Sequence, residues 1–287
     1  MFKSLFIILF CLFTVGCSKS NSASKNCPKT ISMASNLPLA PTPEVAIPVT
    51  GLGIDATWNW QLNGILNTGY NVDVYDVDLF ETSIATITSL KMSGKKVICY
   101  FSAGSSENFR TDFSQFLDSD MGQNLDGWPG ERWLDVRSQN VLNIMTDRLD
   151  LAVTKGCDGV EPDNMDAFDQ NTCFDISAND QLAYNRAIAN LARSRGLSVA
   201  LKNDPDQVND LVGYFDFSVT EQCYFYNECL SYQPFVSAAK PIFNAEYDLA
   251  YRINPAQANL CSYSNANNIQ TIVFSLGLDD TYRHQCF

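Results

Sequence analysis

Histidine and positive charge are what this chain has least of. His284 is its one histidine, and 19 Lys and Arg stand against 32 Asp and Glu, for a formal net charge of −13. A single imidazole near the C-terminus leaves no material for a histidine-ligated metal or a histidine base. No CxxC pair occurs either, so the zinc reading is weak and no metal site is predicted. An acidic field repels nucleic acid and anionic polymers and attracts cations, which removes nucleic acid as a partner; the same charge also serves solubility. No glycine-rich phosphate loop follows an early strand, which argues against nucleotide binding, and no cofactor is predicted. The apolar run within residues 1–16 (MFKSLFIILFCLFTVG) is too short to remain in a bilayer as a span.

That run begins after Lys3 and is followed by small residues, the pattern of a secretion signal. Its removal takes Lys3 with it and moves the net charge from −13 to −14. The TVGC ending at Cys17 resembles a bacterial lipoprotein box, with Thr14 where leucine is usual, so Cys17 is a candidate for lipidation and a membrane tether. Residues 17–50 are rich in Ser, Asn, Pro and Ala without a period of 2 or 3.6, and predict a tether or linker. Residues 51–287 suffice for one barrel domain, expected as a monomer. The predicted location is extracytoplasmic, either secreted or lipid-anchored at the cell envelope. Beyond Cys11 and Cys17, eight cysteines remain: 27, 99, 157, 173, 223, 229, 261 and 286. In an exported chain these predict disulfides. Eight cysteines allow 105 pairings, and only the short loop QCYFYNEC suggests a particular one, Cys223–Cys229.

A unit then repeats. Residues 82–93 place Ile84, Ile87 and Leu90 on one helical face, Gly94 ends the helix, and a strand follows. Residues 139–155, Gly156 and the strand DGVEPD repeat it; Ser177, a helix with Tyr184, Ile188 and Leu191 inward, Gly196 and SVALKN repeat it again. Strand candidates fall at 57–62, 72–78, 96–101, 158–163, 198–203, 216–221, 241–246 and 271–276. Helices alternating with eight such strands predict an α/β fold, a single-domain (β/α)8 TIM-type barrel. An open doubly wound sheet is the alternative.

Barrel active sites lie at the C-terminal strand ends, and polar residues gather there. Strand 1 offers Trp60 and Gln61, strand 2 Asp76 and Asp78, and strand 3 the aromatic Tyr100. Strand 4 offers Glu161, Asp163 and Asn164, and strand 5 Lys202, Asn203 and Asp204. Glu221 ends strand 6, and Glu246 and Tyr247 end strand 7. In DGVEPDNMDAF, Glu161 and Asp163 are two apart and share a face. Pro162 suits a strand that is ending, Asp158 is expected at solvent or a lysine, and Asp166 is expected to cap a turn. Paired carboxylates without histidine suit glycoside hydrolysis, in which one protonates the leaving oxygen and the other attacks or activates water. Aromatics near strand ends (Trp58, Trp60, Tyr100, Tyr224, Tyr226, Tyr247) suit sugar stacking, although inward aromatics in a barrel commonly serve the core.

Seven segments resemble glycoside hydrolase family 114, the endo-α-1,4-polygalactosaminidases. They are TWNWQLNG (57–64), VDVYDVDLFET (72–82), KKVICYFSAGSSENFR (95–110), GWPGERWLDVRS (127–138), GCDGVEPDNMDAF (156–168), TEQCYFYNEC (220–229) and KPIFNAEY (240–247). The resemblance implies hydrolysis of α-1,4-linked galactosamine polymers, with Asp163 and Glu221 as the catalytic acids. Trp60, Gln61, Asp76, Tyr100, Glu161, Asn164, Lys202, Asn203, Glu246 and Tyr247 are then expected to bind an amino-sugar polysaccharide. The rival assignment pairs Glu246 with Asp163. Two other functions fit the residues: a sugar-binding barrel without catalysis, and a metal-dependent polysaccharide hydrolase or deacetylase, which EDTA would stop.

Overall fold

The structure is a computed structural model that describes residues 37, 40, 42–44 and 52–287. The signal segment, most of the linker and Cys17 lie outside the described residues. Helices and strands alternate because the apolar period switches between 3.6 and 2 along the chain. Serines start the longer helices: Ser83, Ser138 and Ser177 each accept a hydrogen bond from the third residue on, capping α1 (Ile84–Met92), α2 (Gln139–Lys155) and α3 (Ala178–Ser194). Gly94, Gly156 and Gly196 follow these helices at φ +80°, +85° and +76°, a region that costs glycine little. On α1, Ile87 and Leu90 are buried but Ile84 is exposed, so its inner face is narrower than predicted. Three further helices follow without a side-chain cap: α4 (Val208–Leu211), α5 (Gln233–Ser237) and α6 (Ala256–Ala266).

Eight parallel strands curl into one sheet. They are β1 (Trp58–Gln61), β2 (Val74–Asp78), β3 (Lys96–Ser102), β7 (Gly159–Asp163), β8 (Ser198–Lys202), β9 (Phe217–Glu221), β10 (Ile242–Glu246) and β11 (Gln270–Phe274). The antiparallel β12 (Arg283–Gln285) joins β11 as a ninth strand. At the seam between β11 and β1 the Trp58 indole donates to Gln270 O at 2.8 Å. Arg283 donates to Trp58 O at 3.0 Å and to Asn59 Oδ1 at 2.6 Å. The predicted strands are all present, but no described helix joins β1 to β2 or follows β11. Trp58, Ile98, Ala200, Phe217, Phe243 and Phe274 fill the barrel. Trp58 stacks on Phe243 of β10, with ring centroids 5.0 Å apart.

Between β3 and α2 the chain makes a detour into a second sheet of three antiparallel strands: β4 (Ser105–Glu107), β5 (Met121–Asn124) and β6 (Glu131–Leu134), in the order β4-β6-β5. Gly104 admits this insert to the barrel rim, because a Cβ there would stand 1.7 Å from Asn164 O. Disulfides join Cys99–Cys157, the expected Cys223–Cys229, and Cys261–Cys286; Cys173 is disulfide-bonded too.

Candidate active site

A cavity of about 810 Å³ opens at the C-terminal ends of the strands. Strand parity decides what reaches it, because successive side chains point to opposite faces. Trp60, Tyr100, Asp163, Asn164, Asn203, Glu221 and Tyr247 line it, as predicted from the sequence. Asp76, Glu161 and Lys202 also point inward but lie below the lining, each 2% exposed or less. They form the floor rather than the contact surface expected of them.

Two predicted residues point the other way. On β10, Phe243 and Ala245 are inside, so Glu246 faces outward. Its Oε1 accepts from Tyr224 N at 2.8 Å and from Asn244 Nδ2 at 3.1 Å, and burial pushes its pKa up to about 7. Glu246 therefore braces the Cys223–Cys229 loop from behind and does not bind in the cavity. The rival pairing with Asp163 fails on the same ground. Gln61 alternates with the inward Trp60 and ties the following loop together. Its Nε2 donates to Asn63 O and Ile65 O, both at 3.0 Å, and its Oε1 accepts from Asn67 N at 2.9 Å.

Lys202 organises the floor. Its Nζ lies 2.9 Å from Glu161 Oε1, 3.1 Å from Asp163 Oδ1 and 3.3 Å from Glu221 Oε2. It also sits 4.5 Å over the Trp60 ring, a cation–π contact. Burial opposes its charge, but Asp163, Glu161 and Glu221 hold its pKa well above the usual lysine value. Beneath it, burial raises Glu161 to about 7 against the pull of Lys202. Asp76 is raised well above the carboxylate range by burial and then by Glu161, to which it is hydrogen-bonded. Asp76 is thus the neutral partner, and its proton satisfies Glu161.

Above the floor, Asp163 and Glu221 face the cavity with side chains 16% and 29% exposed. Tyr100 donates to Asp163 Oδ2 at 2.8 Å and the Asn164 N–H to Oδ1 at 2.7 Å. Tyr247 donates to Glu221 Oε1, and Asn203 Nδ2 to Oε2 at 3.3 Å. Burial, and then the neighbouring Asp163 or Glu221, raise Tyr100 and Tyr247 well above the usual phenol pKa, so both stay donors. The chain turns sharply past three strands: Asn164, Asn203 and Gln222 have φ of +61°, +49° and +56°. Asparagine tolerates that region better than most residues. Since Lys202 Nζ is 3.1 Å from Asp163 Oδ1 and 3.3 Å from Glu221 Oε2, those two oxygens are no more than 6.4 Å apart.

The rest of the predicted acids have structural partners. Asp158 meets Lys91 at 3.1 Å. Asp166 stands before the 3-10 turn Ala167–Asp169 without capping it through its side chain, and instead accepts from Gln170 at 3.0 Å. One wall was not foreseen. Asp78 takes a two-pronged contact from Arg110 at 3.0 and 2.7 Å, Arg110 also meets Glu107 at 2.9 Å, and Glu131 stands opposite Glu107 in the β4–β6 ladder. The signal was there in SSENFR and GERW, where charged residues break short apolar stretches beside glycine. Exposed Phe109, Trp128 and Tyr226 form the rim.

The model of glycoside hydrolase family GH114 matches residues 36–286. Among solved structures, Aspergillus fumigatus Ega3 in complex with galactosamine is 37% identical, with a TM-score of 0.80 over 85% of this chain and 99% of that one. The glycoside hydrolase domain of PelA from Pseudomonas aeruginosa is 15% identical, with a TM-score of 0.62 over 78% of this chain and 96% of that one, and shares the fold. No curated protein sequence matches.

Proposed function

The chain belongs to glycoside hydrolase family GH114, and from that premise we propose that it is an exported endo-hydrolase of α-1,4-linked galactosamine polymers, cutting with Asp163 and Glu221. The observation that carries this is one buried cation, Lys202, binding both carboxylates at the floor of an 810 Å³ cavity. The likeness to Ega3, which was solved with galactosamine, supports the sugar class. The exposed Phe109, Trp128 and Tyr226 at the rim support binding of a long chain past the cut. The disulfides support an oxidising compartment. A lipid anchor at Cys17 belongs to the same proposal.

Sharing Lys202 keeps the two carboxyls close enough to act on one glycosidic bond, and we assign them as a retaining pair, whose carboxyl groups stand about 5–5.5 Å apart. Asp163 is the more deeply held of the two, with donors at 2.7, 2.8 and 3.1 Å, and is assigned as the nucleophile. Glu221 is more open and is assigned as acid and base. In the first step Glu221 gives its proton to the glycosidic oxygen while Asp163 bonds to the anomeric carbon, the bond between that carbon and the glycosidic oxygen breaks, and the leaving sugar departs with a free hydroxyl. In the second, water attacks that carbon, Glu221 takes the water's proton, and Asp163 leaves as carboxylate.

Digestion of a defined α-1,4-galactosamine oligomer tests this, with the product anomer followed by NMR. Asp163→Asn and Glu221→Gln should each lower kcat by at least about 10²–10⁴-fold while leaving the fold intact. An inverted product, or full turnover in either folded variant, would overturn the assignment.

A further inference from the structure

Eight acidic residues line the cavity: Asp78, Glu81, Glu107, Asp126, Glu131, Asp163, Asp166 and Glu221. Asp78, Glu107, Asp163 and Glu221 each have an arginine or lysine at 3.3 Å or less. Glu81 and Asp126 are exposed, and Asp166 is half-buried beside Gln170. Glu131 differs from all of them. It is only 9% exposed, and among the described residues no basic side chain forms an ion pair with it. A buried carboxylate without a counter-charge is costly, and such groups are retained where something else supplies the charge.

What Glu131 has instead is a line of neutral donors. Asn164 Nδ2 donates to Ser102 Oγ at 2.8 Å, and Ser105 Oγ donates to Glu131 Oε2 at 2.8 Å. Ser105 has spent its proton there, so in the 2.7 Å contact between the serines it is Ser102 that donates. Every link points toward Glu131, and none neutralises it. Directly across the ladder, Glu107 gives Oε1 to Arg110, while its buried Oε2 has no hydrogen-bond partner; the Arg148 guanidinium is 3.7 Å away. Burial, with Glu107 and Asp163 nearby, raises Glu131 to about 7, against the Ser105 hydrogen bond and the more distant charge of Arg110, which is itself engaged by Asp78 and Glu107. The wall therefore offers acceptors to whatever enters, and at Glu131 a carboxyl with no ion-pair partner of its own among the described residues.

We propose that Glu131, backed by Glu107, is the carboxylate that receives the free ammonium group of an amino sugar, so that the three-stranded insert sets the preference for deacetylated polymer. This rests on the galactosamine reading above. An ammonium brings three donors and the missing positive charge. An acetamido group brings no charge, one donor and a carbonyl oxygen that would face two carboxylates. The same wall thus attracts one form and rejects the other, the two halves of specificity.

The test compares kcat/KM on fully deacetylated and on N-acetylated galactosamine oligomers for the wild type, Glu131→Gln and Glu107→Gln. Glu131→Gln can still accept from Ser105, so the relay survives while the charge goes. The deacetylated-to-acetylated ratio should fall by about ten-fold or more, carried by KM, as expected for loss of a charged hydrogen bond. In parallel, NMR titration of the wild type should show tighter binding of galactosamine than of N-acetylgalactosamine, and Glu131→Gln should narrow that gap. If Glu131→Gln lowers both substrates equally through kcat, the residue serves only to orient Asn164 and the proposal is overturned. An unchanged ratio overturns it too. If the wild type neither cleaves nor binds any galactosamine, the functional reading itself falls and takes this inference with it.

Discussion

Asp204→Asn should stabilise the protein, and by an amount that grows with pH. Asp204 lies just past β8 and is 1% exposed. Its Oδ2 accepts from Asn185 at 3.0 Å, while its Oδ1 has no partner. Burial, with Asp166 and Asp206 nearby, pushes its pKa from 3.8 up to about 8. The folded chain thus holds a proton that the unfolded chain has already released. The group's contribution is intact below about pH 4 and is lost as pH rises toward 8, because ionisation pulls toward the unfolded state. Asparagine copies the shape of the protonated acid, keeps the oxygen that Asn185 needs, and cannot ionise. It also tolerates φ of +59° at this position. The stability gap between variant and wild type should widen by about 1.4 kcal/mol per pH unit from about pH 4 to pH 8. That reaches about 5 kcal/mol at the upper end, or ~3–6 °C in Tm per pH unit for a domain of this size. Thermal melts of both proteins across pH 4–9 measure it. The other raised acids, Asp76, Glu107, Glu131, Glu161, Asp166, Glu228 and Glu246, are present in both and cancel. Parallel Tm curves would refute the reasoning, since they would mean that Asp204 ionises as readily in the fold as in the unfolded chain.

Glu246→Gln keeps an oxygen for Tyr224 N and lies on the outer face of β10, so kcat and KM on a galactosamine oligomer should stay near wild type; collapse of turnover would mean that the residue reaches the substrate. The charge of −13 should speed capture of a cationic polymer. Accordingly, kcat/KM on deacetylated substrate should drop as salt is raised toward physiological strength, where screening shortens the field to about 8 Å. A rate indifferent to salt argues that contact alone, without long-range attraction, governs capture.

The barrel was legible because its strands are short and three of them, β3, β7 and β8, each follow a serine-capped helix and a glycine, so the switch of period shows in one sequence. That Asp163 and Glu221 line the cavity was legible because each ends a barrel strand. The errors at Gln61 and Glu246 have one cause. Trp60 and Gln61 are neighbours on β1, and Tyr247 directly follows Glu246 at the end of β10. Where the chain stays extended, a period of 2 cannot send both members of a pair into one cavity, and Asn164 joins Asp163 there only because the chain turns at positive φ. Parity alone would have kept Trp60 and Tyr247 and removed the others, once Phe243 and Ala245 were taken as core. The floor was harder. Asp76, Glu161 and Lys202 share the inward parity of the lining residues, and depth along a barrel axis is not written in alternation. The Glu131 wall was hardest of all, since three strands of three or four residues within 105–134 carry too few periods to register.

The insert enters after β3 and rejoins at α2, and its ladder pairs only with itself. The proposed catalytic pair, Asp163 and Glu221, is borne on the barrel strands, while one side of the vestibule is borne on a detour about thirty residues long. Evolution can therefore edit the two at different rates. A descendant that met a differently decorated polymer could exchange this excursion wholesale, provided Gly104 still clears the Asn164 carbonyl, and inherit the cutting apparatus untouched. Grafting an excursion from a relative with another sugar preference is the corresponding laboratory route, with the join fixed at Gly104 on one side and Ser138, the cap of α2, on the other.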